Sequence, residues 1–250
     1  MSELVTAAMV VIGDEILSGR TKDRNIGHLA DMLTAVGIDL KEVRIVSDDE
    51  AAIVEAVNAL RARNTYVFTT GGIGPTHDDI TADSIARAFA RPCNYDDRAY
   101  SLLEKHYASR DIEFSDARKR MARMPEGAEH IDNPISIAPG FRVENVYVMA
   151  GVPAIFQAML DNVIPTLKTG AKLISETVPS SLPEGAIGGP LGEIQAAHPE
   201  TIIGSYPKYQ DGSFWTEIVV RSRSKAALKE AVVAIRSMLE DIPPRQVAKG

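Results

Sequence analysis

Cysteine is almost absent from this chain, with Cys93 standing alone in 250 residues. A single thiol excludes an internal disulfide framework and a cysteine-rich zinc site, and it fits a reducing compartment. Long apolar runs are missing too: no segment reaches the roughly 18 apolar residues of a membrane helix. The start Met-Ser-Glu-Leu-Val-Thr lacks the basic region of a signal peptide. A cytoplasmic protein with no membrane partner is therefore expected. Positive charge is also in deficit, with 27 Lys and Arg against 34 Asp and Glu and a net charge of −7. That balance argues against a general nucleic-acid binder. Several catalytic signatures do not occur: no Walker A lysine loop, no His-Glu-x-x-His and no Gly-x-Ser-x-Gly. A Gly-x-Gly-x-x-Gly fails only because His77 fills its last position. What remains, 45% apolar and 24% charged residues, is ordinary globular composition, long enough for one large domain or two modest ones.

The most informative stretch that is present runs Phe68-Thr-Thr-Gly-Gly-Ile-Gly-Pro-Thr-His-Asp-Asp-Ile-Thr81. Tyr66–Thr70 is β-branched and aromatic and reads as a buried strand. Gly71, Gly72 and Gly74 then permit φ > 0 and a close ligand approach, and Pro75 and Thr76 lead toward Ile80, Ile85, Ala86 and Phe89 at helical spacing. A glycine loop between a strand and a helix start gathers N–H groups for an anion. Asp78 and Asp79 in such a loop conflict with an anion unless a divalent cation such as Mg²⁺ lies between. Phosphate or pyrophosphate chemistry with a metal is the implied class.

The first ninety residues alternate strand and helix. Ala7–Ile12 is a continuous apolar strand, and Ile26, Leu29, Leu33 and Val36 follow at helical spacing to Gly37. Val43–Val46 reads as the second strand, and Ser47 with Glu50 forms a capping-box pattern before Ile53, Ala56, Val57 and Leu60. This order implies a three-layer α/β/α domain with a mostly parallel sheet. Further on, the pattern predicts helices over Asp96–Ser109 and Asp116–Met124. It also predicts strands over Ile135–Ala138 and Phe141–Met149, and a helix over about Pro153–Leu167. Thr169-Gly170 marks a boundary between domains 1–170 and 171–250. The second reads as a small α+β unit: strand Leu173–Val178, a Gly/Pro-rich turn, helix Leu191–Ala197, strands Thr201–Ser205 and Trp215–Ser222, and helix Lys225–Glu240.

Acids follow each of the first three strands: Asp14 and Glu15 after Gly13, Asp48 and Asp49, and Asp78 and Asp79. Open parallel sheets bind ligands beyond the carboxyl ends of their strands, so these side chains can converge there. Asn25, Thr76 and His77 are polar candidates nearby, and Thr76 to Asp79 also fits a reciprocal capping-box pattern. Arg118-Lys-Arg120 with Arg123 reads first as a solvated helix face and second as a contact for ligand phosphates, and Trp215 and Tyr206 read as core and surface of the small domain.

Gly13-Asp-Glu15, Asn25, Ser47-Asp48 and Gly71-Gly-Ile-Gly-Pro-Thr-His-Asp-Asp-Ile-Thr81 resemble the MoaB/Mog molybdopterin-binding domain, in the variant at the N-terminus of competence/damage-inducible protein A (CinA). Asn133-Pro with Ala138-Pro-Gly-Phe141, and Met149-Ala-Gly-Val-Pro153, are similar to that family's later motifs. The resemblance covers roughly residues 5–168. It departs where Ser136 stands for a usual glycine and Ile155-Phe156 for Glu-Met. The resemblance implies a cytoplasmic, self-associating protein for a phosphorylated pterin or dinucleotide, with molybdopterin a possible ligand. Implied ligand contacts are Gly13, Asn25, Gly71, Gly72, Gly74, Pro75, Thr76, Gly140, Gly151 and Pro153. Asp48 and Asp79 are the implied catalytic positions, and Asp14, Asp48 and Asp79 the candidate metal ligands. Two activities are implied: metal-dependent pyrophosphatase action on ADP-ribose or a related dinucleotide, and adenylyl transfer to molybdopterin. A non-catalytic binding module is the third reading. The sequence stops short of the deamidase domain of full-length CinA and of the sulfate-reductase-like domain of eukaryotic FAD synthases, so neither of those activities is expected.

Overall fold

A computed structural model describes residues 4–242. The chain divides into two compact units, Met1–Gly170 and Ala171–Gly250. The first unit opens with β1 (Thr6–Ile12), α1 (Asp14–Leu17), α2 (Asn25–Ala35), β2 (Asp39–Val46), α3 (Glu50–Arg61), β3 (Tyr66–Thr70) and α4 (Thr81–Ala88). It continues with β4 (Cys93–Tyr95), α5 (Asp97–Ala108), α6 (Asp116–Lys119), a 3₁₀ turn at Arg120–Ala122, β5 (Arg123–Pro125) and β6 (Glu129–Ile131). It closes with β7 (Gly140–Val143), β8 (Val146–Met149), α7 (Pro153–Val163) and a 3₁₀ turn at Ile164–Thr166.

Six strands form one sheet in the order β2-β1-β3-β8-β7-β6. β2, β1, β3 and β8 run parallel, and β7 and β6 add antiparallel pairs at the edge. β4 and β5 make a separate antiparallel pair. The apolar run of β1 explains its central place. Ala8, Val10 and Ile12 pack into one core with Ile53, Val57, Leu60 and Ile85, while Ala7, Met9 and Val11 pack into another with Leu29, Leu33 and Phe156. A period of two thus feeds two cores, one on each sheet face, and helices cover both. From β1 the chain moves to β2 on one side and then to β3 on the other. The strand order reverses between β1 and β3, which is where open α/β sheets bind ligands.

Several elements differ from the sequence reading. Phe141–Met149 is two strands rather than one, broken at Glu144-Asn145, where Glu144 adopts φ 52°. The strand expected at Ile135–Ala138 is a loop stapled by Asn133. Its buried side chain accepts from the N–H groups of Ile135 and Ser136, both at 3.0 Å, and donates to Ser136 Oγ and the Ala138 carbonyl. Local side-chain bonds here replace a ladder. The helix expected over Asp116–Met124 is only α6, followed by the 3₁₀ turn and β5, because Arg123–Pro125 pairs with Cys93–Tyr95. The cap of α3 is Asp49, which accepts from Ala52 N–H at 2.9 Å, and not Ser47.

The second unit contains β9 (Ile174–Ser180), α8 (Glu184–Ala197), β10 (Thr201–Gln210), β11 (Ser213–Ser222) and α9 (Lys225–Asp241). Its antiparallel sheet has the order β10-β11-β9, with Val178, Ile187, Leu191, Ile218, Val232 and Ile235 in the core. The Gly/Pro-rich segment expected to turn is helical from Glu184. Ile187 and Leu191 lie one turn apart and are both buried, and Ile194 packs against the same core, so tertiary burial of one face holds a helix that glycine and proline propensity alone disfavour. Asp211 and Gly212, at φ 52° and 80°, close the β10–β11 hairpin in two residues. Tyr206 is 41% exposed and Trp215 half-buried. Among the described residues no helix is long and apolar enough to cross a membrane.

Candidate functional site

The glycine loop leaves β3 at the β1/β3 reversal. Gly71 sits at φ 103°, and a Cβ there would lie 2.1 Å from the carbonyl oxygen of Ile12, the last residue of β1. Only glycine lets the two strand ends meet this closely. Gly72, at φ 68°, would meet Thr81 Oγ1 at 2.2 Å. Thr81 ties the loop to α4: its N–H donates to Gly72 O and its hydroxyl to Gly71 O, both at 3.0 Å. The loop thus joins its helix through Thr81, and glycine at 71 and 72 is required by the protein's own packing.

Asn25 is a brace at the opposite side of the loop. It is 3% exposed, and its Nδ2 donates to Thr70 Oγ1 (2.9 Å) and to the Gly151 carbonyl (2.8 Å). Thr70 Oγ1 donates in turn to Ala150 O at 2.9 Å. The start of α2 and the ends of β3 and β8 are held together by this network. Gly151 packs against Gly71, where its Cβ would lie 3.2 Å from the Gly71 Cα, and Pro153 occupies the first turn of α7. Gly140 differs from its expected role as a ligand contact: it is buried, and a Cβ there would lie 2.3 Å from Val148 O and 2.4 Å from Met159 Cε. It permits sheet and helix to pack.

Carboxylates gather on the β1–β2 flank. Gly13 N–H donates to Val46 O at 3.1 Å, and Asp14 N–H donates to Asp48 Oδ2 at 2.9 Å. Burial raises the Asp48 carboxyl above the usual carboxylate range. The Asp14 N–H partly offsets this, and the charges of Asp14, Glu15 and Asp78 push it further up. Asp79 is placed differently. Its Oδ2 accepts from Thr76 N–H (2.8 Å) and Thr76 Oγ1 (2.5 Å), and it would lie 2.7 Å from a Cβ at Gly74. It pins the loop on itself, while Pro75, Thr76 and His77 are exposed. The reciprocal Thr76–Asp79 pattern does not cap α4, whose cap position is Ile80.

Among the described residues no group of three or more His, Cys, Asp or Glu side chains is arranged to hold a metal. The expected Asp14–Asp48–Asp79 set is therefore not a protein-only cage, because Asp79 is occupied with Thr76. Asp14 and Asp48 do fit a cation shared with a ligand, since Mg²⁺ is commonly held by one or two carboxylates together with substrate phosphates and water.

Two basic residues that the sequence reads as a solvated helix face lie against the α4 flank instead. Arg123 grips Asp83 with both Nη atoms, at 2.9 and 2.7 Å, and Arg120 Nε donates to Asp79 O at 3.2 Å. Arg118 does turn away, donating to Glu113 O with its guanidinium 4.9 Å from the Tyr107 ring centre. Arg123 and Asp83 are 40 residues apart, a separation that no local spacing rule connects.

Residues 8–169 match the family described as probable molybdopterin binding domain, and residues 172–244 match the FAD synthase middle domain. The chain belongs to the MoaB/Mog molybdopterin-binding family. It is 34% identical over 233 residues to a protein of Archaeoglobus fulgidus, covering 93% of this chain and 97% of that one. It is also 34% identical over 204 residues to a CinA-like protein of Desulfosudis oleivorans, covering 77% of this chain and 49% of that relative. A crystal structure of CinA from Thermoplasma acidophilum, described as of unknown function, superposes with a TM-score of 0.61 at 29% identity. It covers 65% of this chain and 98% of that one.

Proposed function

We propose that the glycine loop binds the phosphates of a pterin or dinucleotide, and that the carboxylate flank supports metal-dependent hydrolysis of a pyrophosphate such as that of ADP-ribose. One observation carries the reading: Asp48, close to Asp14, Glu15 and Asp78, is raised by burial and by their repulsion on the β1–β2 flank of the glycine loop. A fold does not hold like charges together at a sheet edge for stability, and shifted groups concentrate at functional sites. The Gly71–Thr81 turn and α4 supply main-chain N–H groups for phosphate oxygens. Asn25 and Gly151 hold the loop's inner wall so that those donors are fixed before the ligand arrives. Asp14 and Asp48 would hold the cation, which supplies charge neutralisation and an acidified water when bound. The chain's own part is to set the two phosphates in line and to keep carboxylates beside the attacked phosphorus. In the overall reaction water adds to one phosphorus, and the bridging oxygen leaves with the other phosphate.

A second reading, adenylyl transfer to molybdopterin, draws on the family match over residues 8–169 and uses the same loop and carboxylates. The test is incubation of the full chain with ADP-ribose, with FAD, and with molybdopterin plus ATP, each with Mg²⁺, Mn²⁺ and Co²⁺, and separation of the products. AMP with ribose 5-phosphate supports the first reading, and pyrophosphate with adenylylated pterin the second. Ligand binding with no product in any mixture reduces the protein to a binding module and overturns both.

A further inference from the structure

A groove of about 380 Å³ opens outside the glycine loop, lined by Pro75, Thr76, His77, Tyr95, Arg120 and Arg123. Its size suits a single fused ring system with an attached phosphate. The two arginines differ in what they have left to offer. Arg123 is neutralised by its paired bonds to Asp83. Arg120 is fixed at Nε by the Asp79 carbonyl, but its Nη2 is 4.0 Å from Asp83, beyond hydrogen-bond distance. A guanidinium held in plane, whose Nη2 keeps only a long ion pair with Asp83 and no hydrogen bond to it, is a ready phosphate fork. Asp116 at the same groove is paired with Lys119 at 2.8 Å and does not oppose that charge. Tyr95 is 51% exposed, and Tyr100 braces its ring edge-on at 5.9 Å.

We propose that this groove is the subsite for the ring-bearing half of the ligand, with Arg120 taking the adjacent phosphate and Tyr95 stacking on the ring. The proposal rests on the phosphate-binding reading above and gives the ligand a direction across the loop. The ring and its phosphate lie on the α4 flank, and the second phosphate lies toward Asp14 and Asp48. Nothing in the carboxylate flank alone explains how an acidic protein attracts a polyanion; Arg120 does.

Calorimetric titration of the full chain in Mg²⁺ buffer with two probes, inorganic pyrophosphate and ADP, tests this. Arg120→Gln should weaken both probes by about tenfold or more, the scale of a charge-assisted bond. Tyr95→Ala should weaken ADP by about tenfold, as for loss of a stacked base, and leave pyrophosphate within about twofold. Tyr95→Phe should restore ADP binding. If the parent binds both probes and either Arg120→Gln or Tyr95→Ala binds ADP as the parent does, the groove is not the subsite and the loop reading stands. A parent that binds neither probe overturns both.

Discussion

On the β1–β2 flank of the glycine loop, Asp14 and Asp48 lie together with no cation partner among the described residues, and Asp48 is raised by burial and by its neighbours. On the α4 flank, Asp83 is held by both Nη atoms of Arg123, and Asp79 is satisfied by Thr76. The residue type is the same and the role is opposite. Compensated carboxylates build the loop's outer wall. In the proposed function the uncompensated ones are left for a ligand and its counter-ion, and the molecule holds them at some cost in stability.

The largest effect is expected at the hinge between the flanks. Gly71→Ala forces a Cβ onto the Ile12 carbonyl in a left-handed conformation and should cost at least about 3 kcal/mol, lowering Tm by roughly 10 °C. An unchanged Tm would mean that the ends of β1 and β3 do not touch. Next comes the compensated flank. Asp83→Asn leaves the Arg123 charge without its carboxylate and should cost about 1–2 kcal/mol, a fall of roughly 4 °C in a thermal scan. A loss no larger than at an exposed ion pair would show that Arg123 is solvated after all.

The smallest effect has the opposite sign. The folded-state Asp48 carboxyl lies above its unfolded value, so the native state is favoured while that group is protonated. That stability is lost as pH rises from the unfolded value, about 4, through the folded one. Asp48→Asn removes the penalty and should raise Tm at pH 7 by roughly 1–2 °C. Below about pH 4, where the parent is also neutral, the gain should disappear. A variant that loses stability at pH 7 would show Asp48 to be structural.

Much of the functional half was legible in the sequence because its signals are local. The apolar run of β1, the β-branched β3, three glycines and an acid after each strand depend on period and adjacency alone. What was hidden depends on contacts between distant residues. Arg123 meets Asp83 only because β5 pairs with β4, so two arginines of a basic run that reads as solvated lie against the α4 flank of the loop. Phe141–Met149 reads as one strand because Glu144 turns the chain at φ 52° without a glycine to announce it. Ile135 and Ile137 have strand character, but Asn133 bonds the backbone between them into a loop. In α8 the burial of Ile187 and Leu191 overrides four glycines and Pro190. Thr76 to Asp79 was legible as a reciprocal pair, yet its partner is the loop itself and not a helix end.

The central claim is that the uncompensated flank does the chemistry, and steady-state hydrolysis of ADP-ribose with Mg²⁺ tests it most directly. The parent should release AMP and ribose 5-phosphate. Asp48→Asn should turn over at least about a hundredfold more slowly, the scale for loss of one electrostatic stabiliser, while its calorimetric Kd for ADP-ribose stays within about threefold of the parent. Equal turnover by parent and variant, or no turnover by a parent that binds ADP-ribose, would contradict the account.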